Sequence, residues 1–235
     1  MFKFNLFLEN KTFKFPKKLL DTFGKYKIYL INAHKFRDLS LSDEEFGNYA
    51  IHEKFPKIIK KNEIWVSNSL SEKERNIIIR SALERLKKLE KGYSSDKAYD
   101  HSLKMEKAIR EKHSLSRKHS YIPKKKKYTS IHFNDQVYHI YLVNGKEIRD
   151  NFKTDFTQGG NGYAYKWVPK NEIWIEDGLD DSEIPFVILH ELTEAKLMEN
   201  KKLTYDEAHI LASKEEFKKR KENKHFSKDD LSKLK

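Results

Sequence analysis

Three side chains in one short stretch, His190, Glu191 and Glu194, are of types that do metal chemistry, at a spacing that suits it. A helix stacks residues i and i+4, so His190 and Glu194 project together with Glu191 beside them. Imidazole and carboxylate are both ordinary zinc ligands, and a carboxylate held next to a metal can serve as a general base. Placed at about 100° per residue, Phe186, Val187, Ile188, Leu189, Leu192, Ala195, Leu197 and Met198 surround the axis almost completely, which predicts a buried helix. A buried carboxylate without a partner is costly, and a bound cation is the simplest partner for it.

The elements that must hold these groups lie on either side. Asp180-Asp181-Ser182-Glu183 is expected to open the helix, with acids in its first turn and Pro185 early enough to be tolerated, and the helix to run to about Glu199. A second helix is expected from Thr204 as N-cap, with Glu207 completing a capping box, through Phe217. Tyr205, Ala208, His209, Ala212 and Glu216 form one stripe of it, the two alanines permitting close approach to the first helix. Three protein ligands and one open position make the usual catalytic zinc site, and His209 is the expected third ligand. Glu216 stands as a reserve ligand or as an acceptor that orients His209, while Asp206 and Glu207 serve the helix N-terminus.

The chain repeats itself at a spacing of about 110 residues. Tyr26-Lys27-Ile28-Tyr29-Leu30-Ile31-Asn32 returns as Tyr138-His139-Ile140-Tyr141-Leu142-Val143-Asn144, Arg37-Asp38 as Arg149-Asp150, Tyr49-Ala50 as Tyr163-Ala164, and Asn62-Glu63-Ile64-Trp65-Val66 as Asn171-Glu172-Ile173-Trp174-Ile175. Each copy predicts a strand, a polar stretch with helical character, two further strands and a helix pair. In the second copy Gln158-Gly159-Gly160-Asn161-Gly162 is expected as a loop, Tyr163-Ala164-Tyr165-Lys166-Trp167 as the strand after it, and Glu172 to Glu176 as the third strand. In the first copy Ser71-Glu72-Lys73-Glu74 opens a helix to about Lys91, and a partner helix runs from Ser95 to Lys112. The fold class is therefore α+β: two tandem copies of a short β-sheet followed by two packed helices, residues 1–113 and 131–235, joined by a basic linker at 114–130.

The duplication is also a control. Aligned on Asn-Glu-Ile-Trp, Ser81 falls opposite His190, Ala82 opposite Glu191, Arg85 opposite Glu194 and, after one inserted residue, Tyr99 opposite His209. A copy that keeps the strands and helices without these four residues shows that folding does not require them. They mark a site present once.

Composition narrows the chemistry further. The chain has no cysteine, which excludes disulfides and thiolate metal sites and leaves His, Asp and Glu to hold any ion, zinc first. The formal charge of +12 is unevenly spread: residues 1–115 carry 25 Lys/Arg against 16 Asp/Glu, residues 116–130 six and none, residues 131–235 17 against 20. A basic first copy and linker, with Lys124, Lys125, Lys126 and Lys127 in a row, point to an anionic partner, nucleic acid being the usual one. The stretch from Met1 to Glu9 carries charge within a short apolar run, unlike a secretory signal, and no run is long enough to span a membrane, so a soluble, cytoplasmic protein is expected.

This order of parts, with strands followed by a buried helix bearing His190-Glu191 and a second helix supplying the last ligand, resembles the zincin-like metallopeptidases. The resemblance covers the second copy. Glu194 stands where the family's second histidine is expected, yet His190, Glu194 and His209 still make two histidines and one carboxylate, as in the gluzincin branch. The resemblance implies one zinc ion, Glu191 as the general base that takes a proton from the attacking water, and Tyr205 or Tyr163 stabilising the oxyanion. It also implies a peptide or protein substrate, paired along an edge strand such as Tyr163 to Trp167. The function expected is a zinc-dependent hydrolase, a peptidase, whose inactive first copy is a scaffold or binding module. The alternative is a nucleic-acid-binding protein whose zincin-like half is structural or vestigial; a third reading is a metal-stabilised interaction protein without catalysis.

Overall fold

A computed structural model describes residues 15–39, 46–112, 122–133, 136–222 and 225–233; the stretch from Met1 to Glu9 and the linker from Ser114 to Tyr121 lie outside the described residues. The two copies build the same sheet. In the first, β1 (Lys17–Phe23) and β2 (Tyr26–Ile31) form a hairpin, β2 runs parallel to β4 (Glu63–Ser67), and β3 (Tyr49–Ile51) closes the edge antiparallel to β4. In the second, β5 (Lys125–Phe133), β6 (Gln136–Val143), β7 (Gly159–Asn161) and β8 (Glu172–Glu176) repeat the order, β5-β6-β8-β7 matching β1-β2-β4-β3. The register is the same too: Tyr29 faces Trp65 across the parallel pair as Tyr141 faces Trp174.

Short helices α1 (Ala33–Leu39) and α4 (Gly145–Asn151) follow the central strands, and long pairs α2 (Glu72–Glu90) with α3 (Ser95–Glu111) and α5 (Ile184–Asn200) with α6 (Tyr205–Glu222) complete the copies. Alternate side chains of each strand point to opposite faces. Ile64 and Val66 of β4 pack on Ile78, Ala82 and Leu86 of α2, while Trp65 between them packs on Phe36, Phe46 and Phe55 beyond the other face. Likewise Ile173 and Ile175 meet Ile188 and Leu192 of α5, and Trp174 meets Ile148 and Phe156. Both sheet faces are therefore covered, which is why the short strands are so apolar.

Five expectations are corrected. The edge strand of the second sheet is Gly159–Asn161, inside the stretch expected as a loop, and the residues expected as its strand, Tyr163 to Trp167, form turns. The physical reason is close approach: a Cβ at Gly160 would lie 2.6 Å from the Tyr165 ring, and one at Gly162 would lie 2.5 Å from the Pro169 carbonyl oxygen. The true counterparts of Tyr49 and Ala50 are Gly159 and Gly160, since these pairs face equivalent positions of β4 and β8. The linker is shorter than expected, because Lys125 already belongs to β5, paired with Val143. Residues Asp180 to Glu183 make a turn ahead of α5 and not its first turn; Asp180 accepts from the Ser182 amide and Glu183 is drawn inward by cations. The second helix runs past Phe217: α6 continues to Glu222, and beyond it Phe226 with Leu231 of α7 (Lys228–Leu231) are buried against Phe186 and its neighbours. Apolar anchors hold it in place.

The copies dock reciprocally. Arg37 of α1 reaches Glu183 at the start of α5 (2.8 Å) and the Phe46 carbonyl (2.9 Å); Arg149 of α4 reaches Glu74 of α2 (2.6 Å) and the Phe156 carbonyl (3.0 Å). Asp38 accepts from Arg220 of α6 (3.2 Å) as Asp150 accepts from Arg110 of α3 (2.9 Å). The repeated Arg-Asp pair is thus a clasp used twice, each copy gripping the helix pair of the other about a pseudo-two-fold axis. No helix of the described residues is long and apolar enough to cross a membrane.

Candidate metal centre

His190 and Glu194 stand one turn apart on α5, and His209 faces them from α6, where Ala208 and Ala212 are fully buried and let the two helices approach. Three atoms converge: His190 Nε2 lies 3.2 Å from His209 Nδ1 and 3.7 Å from Glu194 Oε2, and His209 Nδ1 lies 3.1 Å from the same oxygen. A tetrahedron with ligands about 2.0–2.2 Å from its centre has edges of about 3.3–3.6 Å. The donor triangle has the dimensions of one face of such a tetrahedron, so His190, Glu194 and His209 form a group that could hold a metal ion. His190 and Glu194 are buried, whereas the His209 side chain is 34% exposed, so the group opens to solvent on the α6 side.

The neighbours fix these ligands. Glu216, about two turns beyond His209 on α6, accepts from His190 Nδ1 at 3.0 Å and is itself held by Arg220 Nε (2.8 Å) and Nη2 (2.7 Å). Glu216 therefore orients His190 and not, as expected, His209. A carboxylate on the far ring nitrogen sets the tautomer that leaves Nε2 free to face a metal. Burial works against ionisation of Glu194, but the imidazoles of His190 and His209 beside it outweigh burial and hold its carboxyl well below the usual range. Glu191 behaves oppositely: burial and the adjacent Glu194 charge push it well above the usual carboxylate range. Two carboxylates three residues apart are thus pushed in opposite directions, Glu194 toward its ionised form and Glu191 toward a higher proton affinity.

Asn161, fully buried on β7, was not among the expected site residues. Its Oδ1 accepts from the amides of Tyr163 (2.9 Å) and Ala164 (3.0 Å), which turns Nδ2 toward Glu191 (2.9 Å) and Glu194 (2.7 Å). The signal was present in the duplication, because its counterpart in the first copy is the apolar Ile51, opposite Ile64 as Asn161 is opposite Ile173. Glu191 lies directly against the same strand. A Cβ at Gly159 would sit 2.9 Å from Val187 Cγ1 and 3.1 Å from Glu191 Oε1. Gly159→Ala is accordingly expected to destabilise the protein by about 1–3 kcal/mol, measured by urea unfolding; an unchanged midpoint would mean that β7 is free to lift off α5.

The expected oxyanion residues part company. Tyr205 stacks on the His209 ring, with centroids 5.4 Å apart and planes at 22°, and is 42% exposed at the mouth of the group. The Tyr163 hydroxyl is engaged with the Glu199 carboxylate, a turn beyond the ligands on α5, so Tyr163 is not positioned for the role. The neighbouring Tyr165, whose hydroxyl burial pushes up, packs its ring against Gly160, Phe156 and Trp167. Of the expected phosphate ligands, Lys125 is committed to Glu172 (2.7 Å) and lies over the Tyr141 ring, while Lys124, Lys126 and Lys127 are exposed.

The first copy fills the equivalent space without a metal. Arg85, at the position of Glu194, pairs with Glu53 (2.7 Å) and lies over the ring of Tyr99, at the position of His209; Ser81, in place of His190, bonds to the Ser102 carbonyl. The first copy thus places a guanidinium where the second has the Glu194 carboxylate. Among the described residues no comparable group of metal-ligating side chains occurs in the first copy. No family model matches the chain, and no curated protein or solved structure shows significant similarity to it.

Proposed function

We propose that the second copy is a zinc-dependent hydrolase acting on peptides, with the first copy as its scaffold. The observation that carries this reading is the triangle of His190, Glu194 and His209, which has the dimensions of a tetrahedral face, with the Glu191 carboxylate beside it on the same helix. Two neutral imidazoles and one carboxylate fit zinc, and two-histidine, one-carboxylate sets with an open position are catalytic rather than purely structural. Zinc bound there would supply a Lewis acid that polarises a scissile carbonyl and acidifies water.

The chain's own residues divide the remaining work. Glu191 takes the proton from the attacking water and returns it to the leaving amine, a task for which a raised proton affinity is suited. Asn161 bridges the Glu191 and Glu194 carboxylates through Nδ2 and holds both in place. Glu216 keeps the His190 ring oriented. Strand β7 is the edge of its sheet and lies against Glu191, so an extended peptide adding to that edge would pass its backbone near the site, and Tyr205, stacked on His209 at the open side, would meet the oxyanion. The test is zinc uptake together with cleavage of a mixture of unstructured peptides read by mass spectrometry. One zinc per chain, cleavage abolished by a chelator and restored by added zinc, is the expected result. A zinc-loaded chain that leaves every peptide intact would refute the hydrolase reading, and a chain that takes up no zinc would refute the metal centre as well.

A further inference from the structure

We propose that Arg37, a residue of the first copy, is a positioning residue for the metal centre of the second. The inference rests on the metal reading above and adds a requirement for the first copy. From His190 Nδ1 an unbroken series of charged hydrogen bonds runs outward: to Glu216 Oε2 (3.0 Å), from Glu216 Oε1 to Arg220 Nε (2.8 Å), from Arg220 to Glu183, and from Glu183 Oε1 to Arg37 Nε (2.8 Å). Arg37 is in turn pinned to its own copy by the Phe46 carbonyl (2.9 Å). Glu183 is fully buried, and His190 and Arg220 are nearly so, which keeps solvent from substituting for a lost partner.

The geometry shows how a change at Arg37 reaches the ligand. Arg220 divides one guanidinium between two carboxylates, Glu216 on the metal side and Glu183 on the clasp side. Glu183 Oε1 accepts from both Arg37 and Arg220. Without Arg37, that oxygen falls to Arg220 alone; the guanidinium is drawn toward Glu183 and away from Glu216, and the His190 ring loses its fixed orientation. The first copy contains the same series up to its last member: Arg149 to Glu74, Glu74 to Arg110, Arg110 to Glu106. There the residue at the position of His190 is Ser81, which has no ring to orient. The clasp is common to both copies, and its extension to a metal ligand belongs to the second.

That difference supplies the control. Arg37→Gln and Arg110→Gln each break one half of the clasp, but only Arg37 is connected to His190. Zinc affinity would be measured on the full chain by competition with a chromophoric chelator, and the ligand field by the visible spectrum of the cobalt-substituted protein. Arg37→Gln is expected to bind zinc about 10-fold more weakly, with a shifted cobalt spectrum. Arg110→Gln is expected to keep the wild-type affinity and spectrum even though it lowers the melting temperature. Should Arg37→Gln not fold, Arg37→Lys, which keeps the charge and gives up the fork geometry, carries the test with the same spectral shift. Wild-type affinity and spectrum in the Arg37 variant, or an equal loss in Arg110→Gln, would overturn the inference alone. A wild-type chain that binds neither zinc nor cobalt would overturn the metal reading and this inference with it.

Discussion

Replacing Glu191 by Gln is expected to lower peptide hydrolysis by on the order of 10²–10⁴-fold while leaving one zinc bound per chain. The two halves of that result come from different atoms. Zinc uptake depends on the triangle of His190 Nε2, His209 Nδ1 and Glu194 Oε2, to which Glu191 contributes no atom. Glu191 instead faces Asn161 Nδ2 and the bare backbone of Gly159, a setting an amide of the same shape can occupy without repacking. What the amide lacks is a proton affinity that burial and Glu194 have raised, so it can neither accept the proton of the attacking water nor return it. Metal analysis and single-turnover cleavage on the same preparation separate the effects. An active Glu191→Gln enzyme would remove Glu191 from the chemistry, and a metal-free one would show it to be part of the ligand set.

Glu183→Gln is expected to cost about 3–5 kcal/mol of stability at neutral pH, because it leaves buried cations without their counter-charge. Glu183 is fully buried and is the shared acceptor of Arg37, His34 and Arg220. Burial alone would raise its pKa; the three cationic partners outweigh burial and bring it down to about 2 from an ordinary 4.5. A carboxyl depressed on folding stabilises the native state fully above its unfolded pKa, and that stabilisation is lost as pH falls through the folded one. The window is therefore pH 4.5 to 2, and the amount lost across it is about 3 kcal/mol. Urea unfolding of the wild type and of Glu183→Gln should show a gap that is wide at pH 7 and narrows as pH falls toward 2. A gap that stays constant with pH would mean that Glu183 acts through packing and not through its charge.

Much of this protein is legible from residue patterns because those patterns are local. Tyr26 to Asn32 and Tyr138 to Asn144 read as strands because β-branched and aromatic side chains suit a pleated sheet, and Ser71 and Thr204 read as helix starts because their hydroxyls cap their own helices. The pairing of His190 with Glu194 follows from helix geometry alone, and its absence from Ser81 and Arg85 follows from aligning one copy on the other. The edge strand β7 could not be read in this way. Gly159 and Gly160 have no strand preference, and they form a strand because Val187, Glu191 and Tyr165 leave no room for a side chain there. Asn161 went unmatched with Ile51 because matching Tyr49 to Tyr163 sets the first residue of β3 against one that lies beyond β7.

The sequence by itself determined two tandem α+β copies, a set of His190, Glu194 and His209 that could hold a metal ion, and the confinement of that set to the second copy. Tertiary structure alone decided that Glu216 serves His190 rather than His209, because that choice depends on how α5 crosses α6. It alone decided that the repeated Arg37-Asp38 and Arg149-Asp150 pairs act across copies, on Glu183 with Arg220 and on Glu74 with Arg110. An arginine and a glutamate separated by so much chain carry no mutual signal in sequence. Their pairing is set by the docking of two folded bodies, where burial makes each charge depend on a partner the other body supplies.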